Sequence, residues 1–127
     1  MENKELTKAE EQVMQYLWKV EKGFLKDIVD QFPVPKPAYT TVSTVIRVLV
    51  KKGFIGYNTY GKVNEYYPLV SKADYFQSHV KSIITNFFHG SASEFALFFA
   101  NDQLDISELE EIQKMIEDKI QKIKTKK

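Results

Sequence analysis

Cysteine is absent from this 127-residue chain. That removes disulfides, thiolate metal sites and a cysteine nucleophile, and it fits a cytoplasmic setting. Long apolar runs are missing as well: 43% of residues are hydrophobic, yet no stretch reaches the roughly 18 apolar residues that a membrane span requires, so no membrane insertion is expected. The opening Met1-Glu2-Asn3-Lys4-Glu5 does not resemble a signal peptide. The five glycines are scattered at turns or helix ends and form no phosphate-cradling loop. The two histidines, His79 and His89, are too awkwardly spaced to share a helical face as a ligand pair. Acid is locally scarce too. The chain has 17 acidic residues, but none lies between Asp30 and Glu65, while Lys36, Arg47, Lys51, Lys52 and Lys62 all do. Such a window suits a surface that faces phosphates.

What is present inside that window is a segment with two unlike sides. In Tyr39–Gly53, Val42, Val45, Ile46 and Leu49 recur at i, i+3, i+4 and i+7, the spacing of an apolar stripe packed on a core. The other side carries Thr40, Ser43, Thr44, Arg47 and Lys51. Hydroxyls and cations without an acid suit an anionic partner that also offers hydrogen-bonding edges, and double-stranded DNA is such a partner.

The surrounding chain supplies a frame for this helix. Its length fits one domain, or a small domain with an appended element. Thr7-Lys8-Ala9-Glu10 has the form of a capping box, so a first helix is expected from about Lys8, with Ala9, Val13, Leu17 and Val20 inward, Met14, Tyr16 and Trp18 widening the buried surface, and Gly23 as its stop. Leu25, Ile28, Val29 and Phe32 predict a short second helix, closed by Pro33, Pro35 and Pro37. The third helix is expected over about 40–52, with Tyr39 or Thr40 flanking its start. Two β-rich runs, 54–60 and 63–69, follow around Gly61-Lys62 and predict a hairpin with a basic tip. Three helices and a hairpin make a winged helix-turn-helix domain, expected over residues 1–70.

From residue 71 the character changes to helices with much apolar surface. Ser71-Lys72-Ala73-Asp74 opens one, with Phe76, Val80, Ile83, Ile84, Phe87 and Phe88 as its apolar side and Gly90 as its end; Ser93–Ala100 forms a short second. Asp105-Ile106-Ser107-Glu108 caps the last, along which Ile106, Leu109, Ile112, Ile116, Ile120 and Ile123 form a stripe. This exceeds what a lone arm can hide, so residues 71–127 are expected to be a dimerisation region for a homodimer. Phe76, Ile83, Phe87, Phe95, Phe98, Phe99, Leu109, Ile112 and Ile116 are its candidate interface residues. The same phenylalanines could instead line an effector pocket. The overall fold class is mainly α with a small β-hairpin: a winged helix-turn-helix domain followed by a C-terminal helical dimerisation region. No set of nucleophile, base and orienting partner can be assembled, so no enzyme is expected, and no cofactor.

Several segments together resemble the penicillinase repressor and methicillin-resistance regulator family. They are the Leu6–Trp18 segment, Thr40–Ile46 running into Leu49 and Lys52-Gly53, Tyr66-Tyr67-Pro68, Asn86–Ser91, and Leu104 with the Glu-rich last helix. The resemblance implies a bacterial homodimeric transcriptional repressor on a palindromic operator, with Thr41 and Thr44 at the DNA and Lys62 at the wing. It also brings in a sensor protease as a possible pathway partner, since some relatives are cleaved at an Asn-Phe bond; the matching position here is Phe98-Phe99. Copper-responsive relatives use a cysteine motif, which this chain lacks. The DNA-binding candidates are thus Thr40, Thr41, Ser43, Thr44, Arg47, Lys51 and Lys62. The alternatives are a winged-helix module that docks on protein, and a DNA-binding sensor with a small-molecule pocket in its C-terminal region.

Overall fold

A computed structural model describes residues 5–126 of the chain, so the Met1–Lys4 stretch read for a signal peptide lies outside the described residues. Helix α1 spans Lys8–Val20 and starts with the expected reciprocal cap: the Glu10 N–H donates to Thr7 Oγ1 at 3.2 Å, and the Thr7 N–H donates to Glu10 Oε1 at 3.0 Å. Its buried residues are Glu10, Val13, Met14 and Leu17. Ala9 is exposed and Val20 only half-buried, so the inward stripe is rotated from the one expected. The cap turns Glu10 inward and carries Met14 with it. The helix also stops before Gly23, because Glu21 takes a positive φ of 73° and returns its N–H to the Leu17 carbonyl at 2.8 Å. Gly23 instead opens strand β1, Gly23–Phe24, which the sequence reading missed.

Helix α2, Leu25–Asp30, is short, and the proline-bearing bridge after it is irregular. Lys36 Nζ donates to the carbonyls of Asp30 and Phe32 at 3.0 and 2.7 Å, satisfying acceptors that the end of α2 leaves over. Helix α3 runs over Tyr39–Lys51. Its N-cap is Ala38, which has no side-chain acceptor, so Thr40 sits in the first turn rather than capping it. Gly53, at φ +85°, ends it, and the Phe54 N–H closes on the Leu49 carbonyl at 2.9 Å.

Strands β2, Ile55–Tyr60, and β3, Val63–Pro68, form the hairpin. Gly61 has φ +64° while Lys62 keeps a negative φ, the pattern of a type II′ turn, whose twist matches that of the strands. The sheet is antiparallel in the order β1-β3-β2, with Gly23 opposite Tyr66 and Phe24 opposite Glu65.

Side chains from the three helices and the start of the hairpin meet in one core: Val13, Met14 and Leu17 of α1, Ile28 and Val29 of α2, Val42, Ile46 and Leu49 of α3, then Phe54 and Ile55. This is a winged helix-turn-helix. Trp18 packs against the core, and its Nε1–H donates to the Val70 carbonyl at 2.8 Å. Helix α4, Lys72–Phe87, adds Tyr75, which is buried beside Phe54, Trp18 and His79, with ring centroids 5.8, 6.0 and 5.8 Å away. Of α4's residues Tyr75 is the buried one, whereas Phe76 and Phe87, expected on the covered side, are exposed. The chain divides into two compact units between Val80 and Lys81, inside α4.

In the second unit, α5 covers Ala92–Gln103 and α6 covers Ile106–Thr125. Helix α5 is longer than the Ser93–Ala100 expected because Ser91 caps it, its Oγ accepting from the Glu94 N–H at 3.1 Å. Phe88 meets Phe95 and Phe98 at centroid distances of 5.6 and 5.7 Å. Asp105 and Glu108 cap α6 reciprocally, and every residue of α6 is exposed.

Glu10 links the cap to the end of α3: Lys52 Nζ donates to Glu10 Oε1 at 2.7 Å. Burial pushes the Glu10 carboxyl upward, but the bonds from Lys52 and Thr7 together with the Lys52 charge outweigh it and leave the group below its ordinary value. A carboxylate held low in the folded state stabilises above its unfolded pKa, and that contribution disappears as pH falls through the folded one. Glu10→Gln should therefore cost about 1–3 kcal/mol at neutral pH. Chemical denaturation at pH 7 and pH 3 should show the gap between wild type and variant closing in acid.

Candidate nucleic-acid interface

The burial of Val42, Ile46 and Leu49 fixes the rotation of α3, and the residues left outward follow from it. Thr40, Thr44, Arg47 and Lys51 are all exposed and recur at i, i+4, i+7 and i+11, one line along the solvent side. Thr41 and Val48 flank that line on one side and are exposed; Ser43 and Val50 flank it on the other and are half-buried. The Thr44 Oγ1–H donates to the Thr40 carbonyl at 2.9 Å. With its proton spent there, Thr44 offers a partner an acceptor oxygen and a methyl group.

The Ser43 flank turns toward the hairpin. Antiparallel register sets Tyr57 opposite Tyr66 and Thr59 opposite Asn64, so these four side chains share one face of the ribbon. Between that face and α3 runs an open groove of about 330 Å³, lined by Ser43, Ile46, Arg47, Val50, Tyr57, Asn64 and Tyr66. Tyr57 and Tyr66 meet edge to face at 6.0 Å. The Thr59 Oγ1–H donates to Asn64 Oδ1 at 2.8 Å, which orients the Asn64 amide. None of the lining residues is acidic. Lys62 stands exposed at the tip of the hairpin.

The five cations of the acid-free window divide by task. Lys36, itself exposed, donates to the carbonyls of Asp30 and Phe32, and Lys52 pairs with Glu10, so both already have partners within the chain. Arg47, Lys51 and Lys62 form no ion pair among the described residues. Thus the structure brings Thr40, Thr41, Ser43, Thr44, Arg47 and Lys51 onto one exposed helix surface, with Lys62 on the neighbouring hairpin. Tyr57, Asn64 and Tyr66 of the groove were not among the sequence candidates. The Gly61-Lys62 turn carried the signal that would have found them, because a two-residue turn fixes which residues lie opposite each other.

The candidate interface residues lie apart from this surface in the chain. Phe76, Phe87, Phe98 and Phe99 are 64%, 74%, 67% and 48% exposed, and Leu109, Ile112 and Ile116 of α6 are 36%, 37% and 54% exposed. Ile83 and Phe95 are half-buried.

Known proteins match this arrangement over most of its length. The chain is 26% identical to the penicillinase repressor of Bacillus licheniformis over 116 residues, covering 90% of this chain and 91% of that one. It is 29% identical to the methicillin resistance regulatory protein MecI of Staphylococcus aureus (strain N315) over 123 residues, covering 94% of this chain and all of the relative. The solution structure of the DNA binding domain of the repressor BlaI shares the fold, with a TM-score of 0.50 at 23% identity, over 57% of this chain and 90% of that domain. The family model for the penicillinase repressor matches residues 6–118, and with the winged fold and the acid-free face of α3 in place, the chain belongs to the penicillinase repressor family.

Proposed function

We propose that this protein is a bacterial transcriptional repressor, acting in the cytoplasm, that binds a dyad-symmetric operator as a homodimer. The observation that carries this reading is the outward surface of α3, where hydroxyls and cations stand exposed without an acid beside a basic-tipped hairpin. In this reading α3 enters the major groove, with Thr40, Thr41 and Thr44 at base edges, while Lys51 and Lys62 hold phosphates. Occupying a promoter then blocks transcription.

The second unit supports dimerisation. Leu109, Ile112, Ile116, Ile120 and Ile123 recur at i, i+3, i+7, i+11 and i+14 along α6, each between about a third and just over half exposed in the single chain. An exposed stripe of this length stabilises nothing until a second copy covers it. A symmetric pair would set two α3 helices about 34 Å apart, one turn of duplex, and so select an operator with dyad symmetry.

The duplex selected by this protein from a random pool provides the test, and a symmetric consensus is the expected result. Absence of duplex binding at low salt would favour a protein-docking module instead. On the selected site, Thr44→Ala should cost about 1–3 kcal/mol and relax preference at one base position, whereas Lys62→Ala should weaken all duplexes alike and lower the salt slope by about one. Binding titrations at four salt concentrations separate the two behaviours.

Replacing Ile112 and Ile116 together by aspartate should convert a dimer to a monomer in sedimentation equilibrium, and should weaken binding to the full operator at least tenfold while leaving the winged domain folded. A monomeric wild type, or a double variant that remains dimeric, would remove α6 from the interface.

A further inference from the structure

The groove between α3 and the hairpin has a chemistry of its own. Each polar side chain in it can donate: the Arg47 guanidinium, the Ser43 hydroxyl, the hydroxyls of Tyr57 and Tyr66, and the Asn64 amide nitrogen. The Asn64 oxygen is occupied by the Thr59 hydroxyl at 2.8 Å, which leaves its N–H groups available, and they find no partner among the described residues. No carboxylate lines the groove to compete for the arginine. Glu65, the acid of β3, stands at the register position next to Asn64 and so projects from the opposite face of the ribbon. A concavity with one cation, several donors converging from helix and hairpin and no acid is complementary to a phosphate diester, whose unesterified oxygens accept from several directions at once.

Arg47 shares its outward line with Thr40 and Thr44, but it lines the groove and they do not. It sits four residues after Ser43 and three before Val50, and all three residues line the groove. Thr41 and Val48 lie on the far flank, facing away from the hairpin. Arg47 therefore belongs to the hairpin side of α3.

We propose that this groove seats a phosphate of the DNA backbone, with Arg47 as its charged clamp and Asn64, Ser43 and Tyr57 as further donors, so that Arg47 positions α3 and does not read a base. The proposal rests on the DNA-binding reading above. It assigns the choice of sequence to Thr40, Thr41, Thr44 and Val48, and makes the hairpin face, as well as its tip, part of the backbone contact.

The full-length protein, its selected duplex and a scrambled duplex of equal length test it. Arg47→Ala should lose affinity by roughly tenfold on both duplexes, by the same factor, and flatten the dependence of log affinity on log salt by about one. Asn64→Ala should weaken both duplexes alike while leaving the salt slope unchanged, since it removes no charge. A series of selected duplexes, each with one neutral methylphosphonate, should contain a position that weakens wild type and has no further effect on Arg47→Ala. Thermal melting of each variant checks that the domain remains folded. A loss confined to the selected duplex, with an unchanged salt slope, would make Arg47 a base reader and overturn the proposal. So would full affinity in Arg47→Ala, which would leave the groove without a role in DNA binding. Failure of wild type itself to bind any duplex would instead strike at the DNA-binding reading, and the proposal would fall with it.

Discussion

Three side chains, Val42, Ile46 and Leu49, each no more than 2% exposed, set the orientation of α3, and every later statement about its outer surface depends on them. Their burial contributes about 1.5–3 kcal/mol each, enough to select one rotation of a 13-residue helix that would be marginal in isolation. Shifting the buried stripe by one residue would turn α3 by about 100° about its axis. Thr44 and Arg47 would then leave their present places relative to the hairpin, although no outward residue had changed. The core of the winged domain thus specifies the geometry of its surface, and the clamp between Glu10 and Lys52 ties the far end of α3 to the start of α1.

The same rule explains which features were legible in the sequence. The α3 stripe, the reciprocal cap of α1 and the two-residue turn were all readable, because each is a local pattern with a single structural outcome. Strand β1 was not, since two residues carry no alternation and exist as a strand only through pairing with Tyr66 and Glu65. Tyr75 was passed over for a comparable reason. Phe76, Val80, Ile83 and Phe87 give α4 an apolar periodicity, but the buried residue near its start is the adjacent tyrosine, which lies among Trp18, Phe54 and His79. Periodicity names the apolar side of a helix; it does not say what covers it.

Helices α3 and α6 show that distinction within one chain. Both have an apolar stripe opposite a charged side. For α3 the cover is supplied by α1, α2 and Ile55, and the three central residues are buried. For α6 every residue remains exposed, although its cap is complete and its ends carry charges suited to the helix dipole, with Glu108 in the first turn and Lys122 and Lys124 in the last. Local signals are enough to make α6 a helix. They leave its stripe uncovered, and that deficit within a single copy is the physical reason for proposing a second one.

Charge counting faced an analogous ambiguity, and geometry resolves it by subtraction. A window with five cations and no acid looks uniformly suited to phosphate, but Lys36 is spent on the carbonyls that end α2 and Lys52 on Glu10. The remaining cations are spread over distinct places: Lys51 near the end of α3, Lys62 at the hairpin tip, and Arg47 on the flank between helix and hairpin. Of these, Arg47 lines the groove with other donors around it. A flexible exposed lysine holds a phosphate loosely as a point charge, whereas a guanidinium beside oriented amide and hydroxyl donors can fix its position and angle. In the proposed complex, that difference makes the groove, more than the tip, the place where the hairpin sets the depth and tilt of α3 against a duplex.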